Sequence, residues 1–369
     1  MKISTRSAVV VTAALLLTAG TLTACSTGSE TANTSSASAS SASIGLLLPE
    51  SVTARYESAD KPYFEAKVAS LCPGCKVLYA NADGDAAKQQ QQAESMLAQG
   101  AKVLVLDPFD SVAAAAIVNK AKAQNVPVIS YDRLIDSPDL AFFVSFDSEK
   151  VGEMQGTALV DKLKKDGVAP GDGGILMVNG SPTDSNATLL KAGAHKIIDP
   201  SGFKVLAEYS TPGWDPAQAQ AWVAGQITQF GPQIKGVYAA NDGIAGGAVA
   251  AMKAAAVNPI PPTTGQDADL AGIQRILIGD QYMTVYKALR LEAEKAATLA
   301  VDLVNGKTTK GGTTVKAPTS GAAVESFLLT PVAVFVDNIQ DTVVKDGFYT
   351  AAEICTPDYA AACTAAGIK

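Results

Sequence analysis

Histidine is almost missing from this 369-residue chain, which has only His195. One histidine excludes the usual His-rich metal sites and leaves few general bases for chemistry near neutral pH. His195 falls in an expected helix over residues 187–198 with no second histidine to complete a metal pair, so a surface or lightly packed role is expected. Charge is also sparse, at 18% of residues, with a formal net charge of −7. There is no basic cluster, which argues against nucleic acid and against electrostatic adhesion to anionic lipid. No GxGxxG follows a strand, and neither a Walker loop nor a GxSxG elbow occurs, so common nucleotide-binding and acyl-transfer signatures are lacking. Paired carboxylates remain usable in principle, as in glycosidases. That would require two acids facing each other without cations that hold both ionised. The expectation is a protein that is not an enzyme, with no cofactor and no metal. Asn81-Ala82-Asp83-Gly84-Asp85 hints at calcium, but its glycine is misplaced for an EF-hand loop, and a helix cap is expected instead.

Only one long apolar run is present, and it lies at the N-terminus. Lys2 and Arg6 precede residues 8–22, a stretch too short and too poorly flanked for a stable membrane span. It ends in Leu22-Thr23-Ala24-Cys25, which has the form of a lipobox: small residues open the bond to a lipoprotein signal peptidase, and the Cys25 thiol takes the lipid. The alternative is ordinary secretion with an incidental cysteine. Residues 1–24 are therefore expected to be a lipoprotein signal peptide. Residues 25–43, nearly all Ser, Thr, Ala, Gly and Asn, are expected to be a flexible tether. Losing Lys2 and Arg6 takes the formal charge from −7 to −9, so anchoring at the extracytoplasmic face of the membrane would rest on the lipid.

Four cysteines remain. Cys72-Pro73-Gly74-Cys75 sets two thiols across a Pro-Gly turn, a separation that suits a disulfide. Redox CxxC motifs usually open a helix; this one follows a helical segment and precedes an expected strand at 76–79, which favours a structural bridge over a redox centre. Cys355 and Cys363 are expected to form a second bridge that ties down the C-terminal tail. Both suit an oxidising exterior.

Beyond the tether, short β-prone runs alternate with helical stretches. Residues 44–48, 76–79, 103–106, 126–131 and 142–146 read as strands, and 86–99 and 111–124 as helices. After a glycine-rich acidic loop at 165–174 the pattern restarts with strands at 174–178, 204–209, 236–239 and 283–286. Continuous Val/Ile/Leu runs between helices indicate parallel sheets covered on both faces. The fold class is α/β, with two doubly wound parallel-sheet lobes. Polar groups follow the strands: Asp132 and Arg133 after 128–130, residues 180–186 after 175–178, and Asn241-Asp242 after 237–240. Asp242 is expected to cap the next helix. Trp214 stands just before a helix, with Asp215 as N-cap and Pro216 in the first turn. Open α/β sheets bind ligands at such strand ends.

Residues 265–275, Gly-Gln-Asp-Ala-Asp-Leu-Ala-Gly-Ile-Gln-Arg, with Thr284-Val285-Tyr286-Lys287, closely resemble the xylose-binding branch of the periplasmic, type I solute-binding proteins of sugar ABC importers. Tyr131-Asp132-Arg133, residues 145–153, 180–186 and 212–216, Asn241-Asp242-Gly243 and residues 328–331 resemble the same branch in the same order, covering nearly all of the chain after the tether. The resemblance implies two lobes joined by a hinge: 44–147 plus 287–320 as the first, 148–286 plus 321–350 as the second, and a Cys-bearing tail at 351–369. It implies that a strand near 329–335 crosses back between them. The implied sugar contacts are Arg55, Asp132, Arg133, Asn186, Asn241, Asp267 and Lys287, with Trp214 as the stacking surface. Members of the branch tend to have Arg-Trp where this chain has Arg55-Tyr56, which leaves the first-lobe wall, including Tyr56, as the departure. The implied function is capture of a monosaccharide, D-xylose or a related aldose, by a monomer that delivers it to a membrane permease of an ABC importer. Presentation to a membrane sensor, or binding of another small polar ligand such as a furanosyl signal, is the alternative.

Overall fold

A computed structural model describes residues 42–369. The expected signal peptide, the lipid site at Cys25 and nearly all of the tether lie outside the described residues. Among the described residues, no helix is long and apolar enough to cross a membrane.

The first sheet grows outward from β1 (Ser43–Leu48), which pairs in parallel with β2 (Lys76–Asn81) on one side and β3 (Ala101–Leu106) on the other. Ser43 was expected in the tether; its backbone instead joins the ladder, and Ala42 O accepts the amide of Lys76. A strand end needs backbone partners rather than apolar side chains, so composition does not mark it. β4 (Val128–Tyr131) and β5 (Phe142–Phe146) continue the sheet in parallel. Ile44, Leu46 and Leu48 pack into one apolar core and Leu47 into another, the alternation of a strand buried on both faces. Helix α1 (Lys61–Leu71) covers one face; α2 (Ala86–Ala98) and α3 (Ala115–Lys122) cover the other. Asp85 accepts from the amides of Ala87 and Lys88, so the acidic stretch before α2 is a helix cap.

The second lobe begins with α4 (Ser148–Lys165), capped by Asp147, and is built on β6 (Gly174–Asn179) between β7 (Lys204–Ser210) and β8 (Ile234–Ala239), all parallel. Helix α5 (Ser185–Ile198) packs against α4, and α6 (Pro216–Phe230) against α7 (Asp242–Ala254). Helix α8 (Leu270–Leu277) leads to β9 (Thr284–Tyr286). The chain then returns to the first lobe, where α9 (Leu289–Val304) packs on α1 and closes the core beneath β1 and β3.

The third passage differs from expectation. Residues 321–350 were assigned to the second lobe, yet β10 (Thr313–Lys316) and β11 (Ala323–Leu329) extend the first sheet, with β11 parallel to β5. Every residue of β5 is buried, and Phe327 against Phe142 and Val324 beside Phe143 supply the cover that its edge requires. The crossing therefore falls at Thr330-Pro331, before β12 (Val332–Val334) pairs antiparallel with β9. Disulfides join Cys72 to Cys75 and Cys355 to Cys363. The second bridge links α10 (Ala351–Ile354) to α11 (Ala360–Ala365), and Ile354, Cys363 and Ile368 pack with Ile273 and Ile276 of α8. The tail is thereby part of the second lobe.

Candidate ligand-binding cleft

The carboxyl ends of both sets of strands meet at one small, nearly filled cavity. From the first lobe, Arg55 and Tyr56 follow β1, and Asp132 and Arg133 follow β4. Arg55 is fully engaged: Nε and Nη2 donate to Asp60 at 2.8 and 2.7 Å, Nη2 also to Glu292 at 2.8 Å, and Nη1 to Asp132 at 3.0 Å. Asp132 has a positive φ of 54°, anchored by its amide donating to Val144 O at 2.8 Å. Arg133 Nη2 donates to the Tyr56 hydroxyl at 2.9 Å, and the Tyr56 ring lies within 5.3 and 5.7 Å of the Arg55 and Arg133 guanidinium carbons. Tyr56 is thus held edge and face by the two arginines.

The second lobe supplies Asn186, Trp214, Asn241 and Asp267, while Lys287 stands at the crossing after β9. Asn186 Nδ2 donates to Asp132 O at 2.9 Å across the cleft. Trp214 Nε1 donates to Asp184 at 3.0 Å, and the ring lies so close to Gly180 that a Cβ there would fall 2.1 Å from it. Trp214 therefore both lines the cavity and belongs to the second-lobe core. Asn241, not Asp242, caps α7, accepting from Ile244 N at 2.9 Å; the cap requires the extended backbone that Asn241 adopts. Asp242 turns inward to accept from Gln281, Thr284 and the amide of Asp269. Lys287 Nζ lies 3.0 Å from Asp267 and 3.6 Å from Asp132, joining acids of the two lobes. Asp132, Trp214 and Asp267 all have positive φ, 54°, 57° and 90°. Non-glycine residues are held there at a cost of about 1–3 kcal/mol each, which clusters at working sites.

Residues 44–308 match the periplasmic binding protein domain family. The chain is 39% identical over 315 residues to the D-xylose-binding periplasmic protein of Escherichia coli K12, spanning 84% of this chain and 92% of that one. It is 37% identical over 327 residues to the D-xylose-binding periplasmic protein of Haemophilus influenzae, with 88% and 95% covered. The chain belongs to the periplasmic binding protein family. Its fold is the type I form. An ABC transporter solute-binding protein from Clostridium phytofermentans, solved with bound β-D-glucose, has a TM-score of 0.79 to it at 27% identity, over 85% of this chain and 99% of that one. The family consists of substrate-binding proteins, not enzymes.

In this periplasmic binding protein, the cleft charges explain why no acid there is set up for catalysis. Burial opposes ionisation of Asp132, but Arg55, then Lys287 and Arg133, hold its carboxyl well below the usual range. Burial also opposes the charge on Lys287, and Asp132 and Asp267 restore it. The neighbouring acids behave oppositely. Burial pushes Glu292 up against the pull of Arg55, and pushes Asp107, Asp184 and Glu50 up against that of Arg133. The acids at the cavity are thus flanked by cations, unlike a glycosidase pair.

All nine residues proposed from sequence line the cavity, together with Thr53, Asp184, Leu190 and Gln266. Asp184 and Gln266 stood inside the segments singled out above. Asp60 and Glu292 were not anticipated. For Glu292 a signal existed: it falls on the same helical stripe as Ala296 and Leu299, where an acid is out of place unless paired. His195 is partly exposed, with Nδ1 2.9 Å from Asp199 and Nε2 3.3 Å from Glu208, far from metal-site chemistry. Among the described residues no cluster of metal-ligating side chains occurs.

Proposed function

We propose that this protein captures a monosaccharide, D-xylose foremost, between its lobes and delivers it to the membrane permease of an ABC importer. The observation that carries the reading is the convergence of donors and acceptors from both lobes, with an indole, on one cavity at the strand ends. A monosaccharide presents a ring of hydroxyls that donate and accept. Asp132 and Asp267 accept, Arg133 and Lys287 donate, and Asn186 and Asn241 carry an amide that does both. Trp214 offers a flat apolar face for the C–H side of the ring. Arg55 touches three acids and acts mainly by holding Asp132 in place. Identity to two D-xylose-binding proteins over most of the chain supports the choice of sugar. Sugar contacts from both lobes favour the closed form, the form recognised by the permease, and the ATPase that powers uptake is a separate chain.

The test is thermal stability of the tether-free body with xylose, glucose, galactose, arabinose and ribose, because a ligand of the folded state raises its melting point. A shift with xylose is expected. A shift with another sugar alone would move the assignment and point to Tyr56 and its neighbours; no shift with any would overturn it. The proposed lipid on Cys25 holds the protein at the outer face of the membrane, so Cys25→Ser should release it into the soluble fraction. Continued membrane retention would exclude that anchor.

A further inference from the structure

Arg133 is surrounded by more carboxyl groups than it uses. Its Nε lies 2.8 Å from Asp184 Oδ2 of the second lobe and 3.5 Å from Asp107 Oδ1 of its own lobe; Nη2 is 3.8 Å from Glu50 Oε1, also of its own lobe. Asp184 is fully occupied, accepting from Asn186 N at 2.7 Å and from Trp214 Nε1. Asp107 is not. It is 0% exposed, neither of its oxygens accepts a hydrogen bond from the described residues, and Glu50 Oε1 is in the same position. Neither acid lines the cavity. Buried carboxyl oxygens without donors are costly and call for a reason.

The same region carries a seam of direct bonds between the lobes. Ser111 N donates to Thr183 O at 3.0 Å, Ser185 N to Ser111 Oγ at 3.2 Å, Leu134 N to Ser185 Oγ at 2.8 Å, and Thr183 Oγ1 to Phe109 O at 3.2 Å. None of these four bonds requires a ligand. Opening the cleft breaks them and withdraws Asp184 from Arg133. An arginine left in that buried site without a counter-ion would oppose opening strongly.

We propose that Arg133 exchanges counter-ions as the cleft works: it pairs with Asp184 across the closed seam and falls back on Asp107 and Glu50 when the lobes part. Asp107 is then a positioning residue that stabilises the open form without touching ligand, and Ser185 is its opposite number on the closed side. Ligand residence time is set partly by this balance and not only by sugar contacts. The inference rests on the proposed receptor reading, in which the lobes open and close.

The test is stopped-flow binding of D-xylose to wild type, Asp107→Asn and Ser185→Ala, followed by intrinsic fluorescence. Asp107→Asn, which weakens the open-state partner, should slow dissociation by roughly threefold to tenfold at unchanged association. Ser185→Ala should speed dissociation by a similar factor. Dissociation unchanged in both, or faster in Asp107→Asn, overturns the proposal; a structural defect would lower the melting point but would not slow release. Should Asp107→Asn fail to fold, unchanged dissociation in Ser185→Ala alone overturns it. If wild type binds none of the sugars, the receptor reading fails by itself. Small-angle scattering of the ligand-free proteins then decides the latch: Asp107→Asn should be more compact than Ser185→Ala, and identical curves overturn it.

Discussion

Asp267 combines three features that a purely structural acid rarely shares. It is buried, its φ is 90°, and Oδ1 accepts no hydrogen bond although Lys287 Nζ is 3.0 Å away. An acceptor in that state is ready for a donated hydroxyl. Asp267→Ala should weaken sugar binding by about 1.5–3 kcal/mol in titration calorimetry, the range for a hydrogen bond to a charged group; unchanged affinity would remove Asp267 from the site. Gly180 tests the opposite face of the pocket. With a Cβ 2.1 Å from the Trp214 ring, Gly180→Ala must push the indole into the cavity, and affinity should fall by about tenfold with a shifted tryptophan emission. Unshifted emission and full affinity would show that the loop yields instead. At this scale the placement of Asp132 and Arg133 was legible, because a charged pair closed an apolar run. The link from Arg55 to Asp132, 77 residues apart, was not. Nor was the choice of Asn241 over Asp242 as cap, which local backbone angles decide.

Helices α4 and α5 show how an element carries a site residue. A Cβ on Gly193 would fall 2.0 Å from Glu149 O, and one on Gly152 2.0 Å from Leu190 O, so the two backbones touch. Asn186 and Leu190 on α5 line the cavity, and their position depends on that contact. Gly193→Ala should cost about 1–3 kcal/mol in urea unfolding and weaken sugar binding as α5 moves away. A native unfolding midpoint would mean that the helices separate freely. Element identity was legible from alternating apolar runs, and most strands fall within a few residues of their expected bounds. β11 was misplaced because a strand's own residues do not name the neighbour whose edge they cover.

Across the whole molecule, the buried acids set a pH response. Burial pushes Asp242 up to about 7 against the pull of Arg275, and burial likewise raises Glu292, Asp107, Asp184 and Asp269. A carboxyl with a raised folded value binds its proton more tightly when folded than the unfolded chain does near pH 4. Its contribution to stability is therefore full at the acid end and lost as pH rises from about 4 to about 7. Asp132, held low by Arg55, has the opposite sign, but its contribution is lost only below about pH 4. The melting temperature should fall between about pH 4.5 and 7, and Asp242→Asn should flatten the fall. A rise over that range, unaltered by the substitution, would mean that Asp242 is ionised throughout.

Strand and helix order and the strand-end loops could be read from the sequence alone, because each depends on local periodicity or on a polar group that ends an apolar run. The candidate pocket residues came from the resemblance of those loops to the xylose-binding branch. Only the tertiary structure decided which lobe owns β11, that both oxygens of Asp107 and Oε1 of Glu50 stand without donors beside Arg133, and that one arginine, Arg55, joins nearby Asp60 to Asp132 and Glu292 from distant parts of the chain. Those are properties of pairs across space: the energy of a buried charge depends on what lies within a few ångströms of it, and sequence neighbours do not determine that.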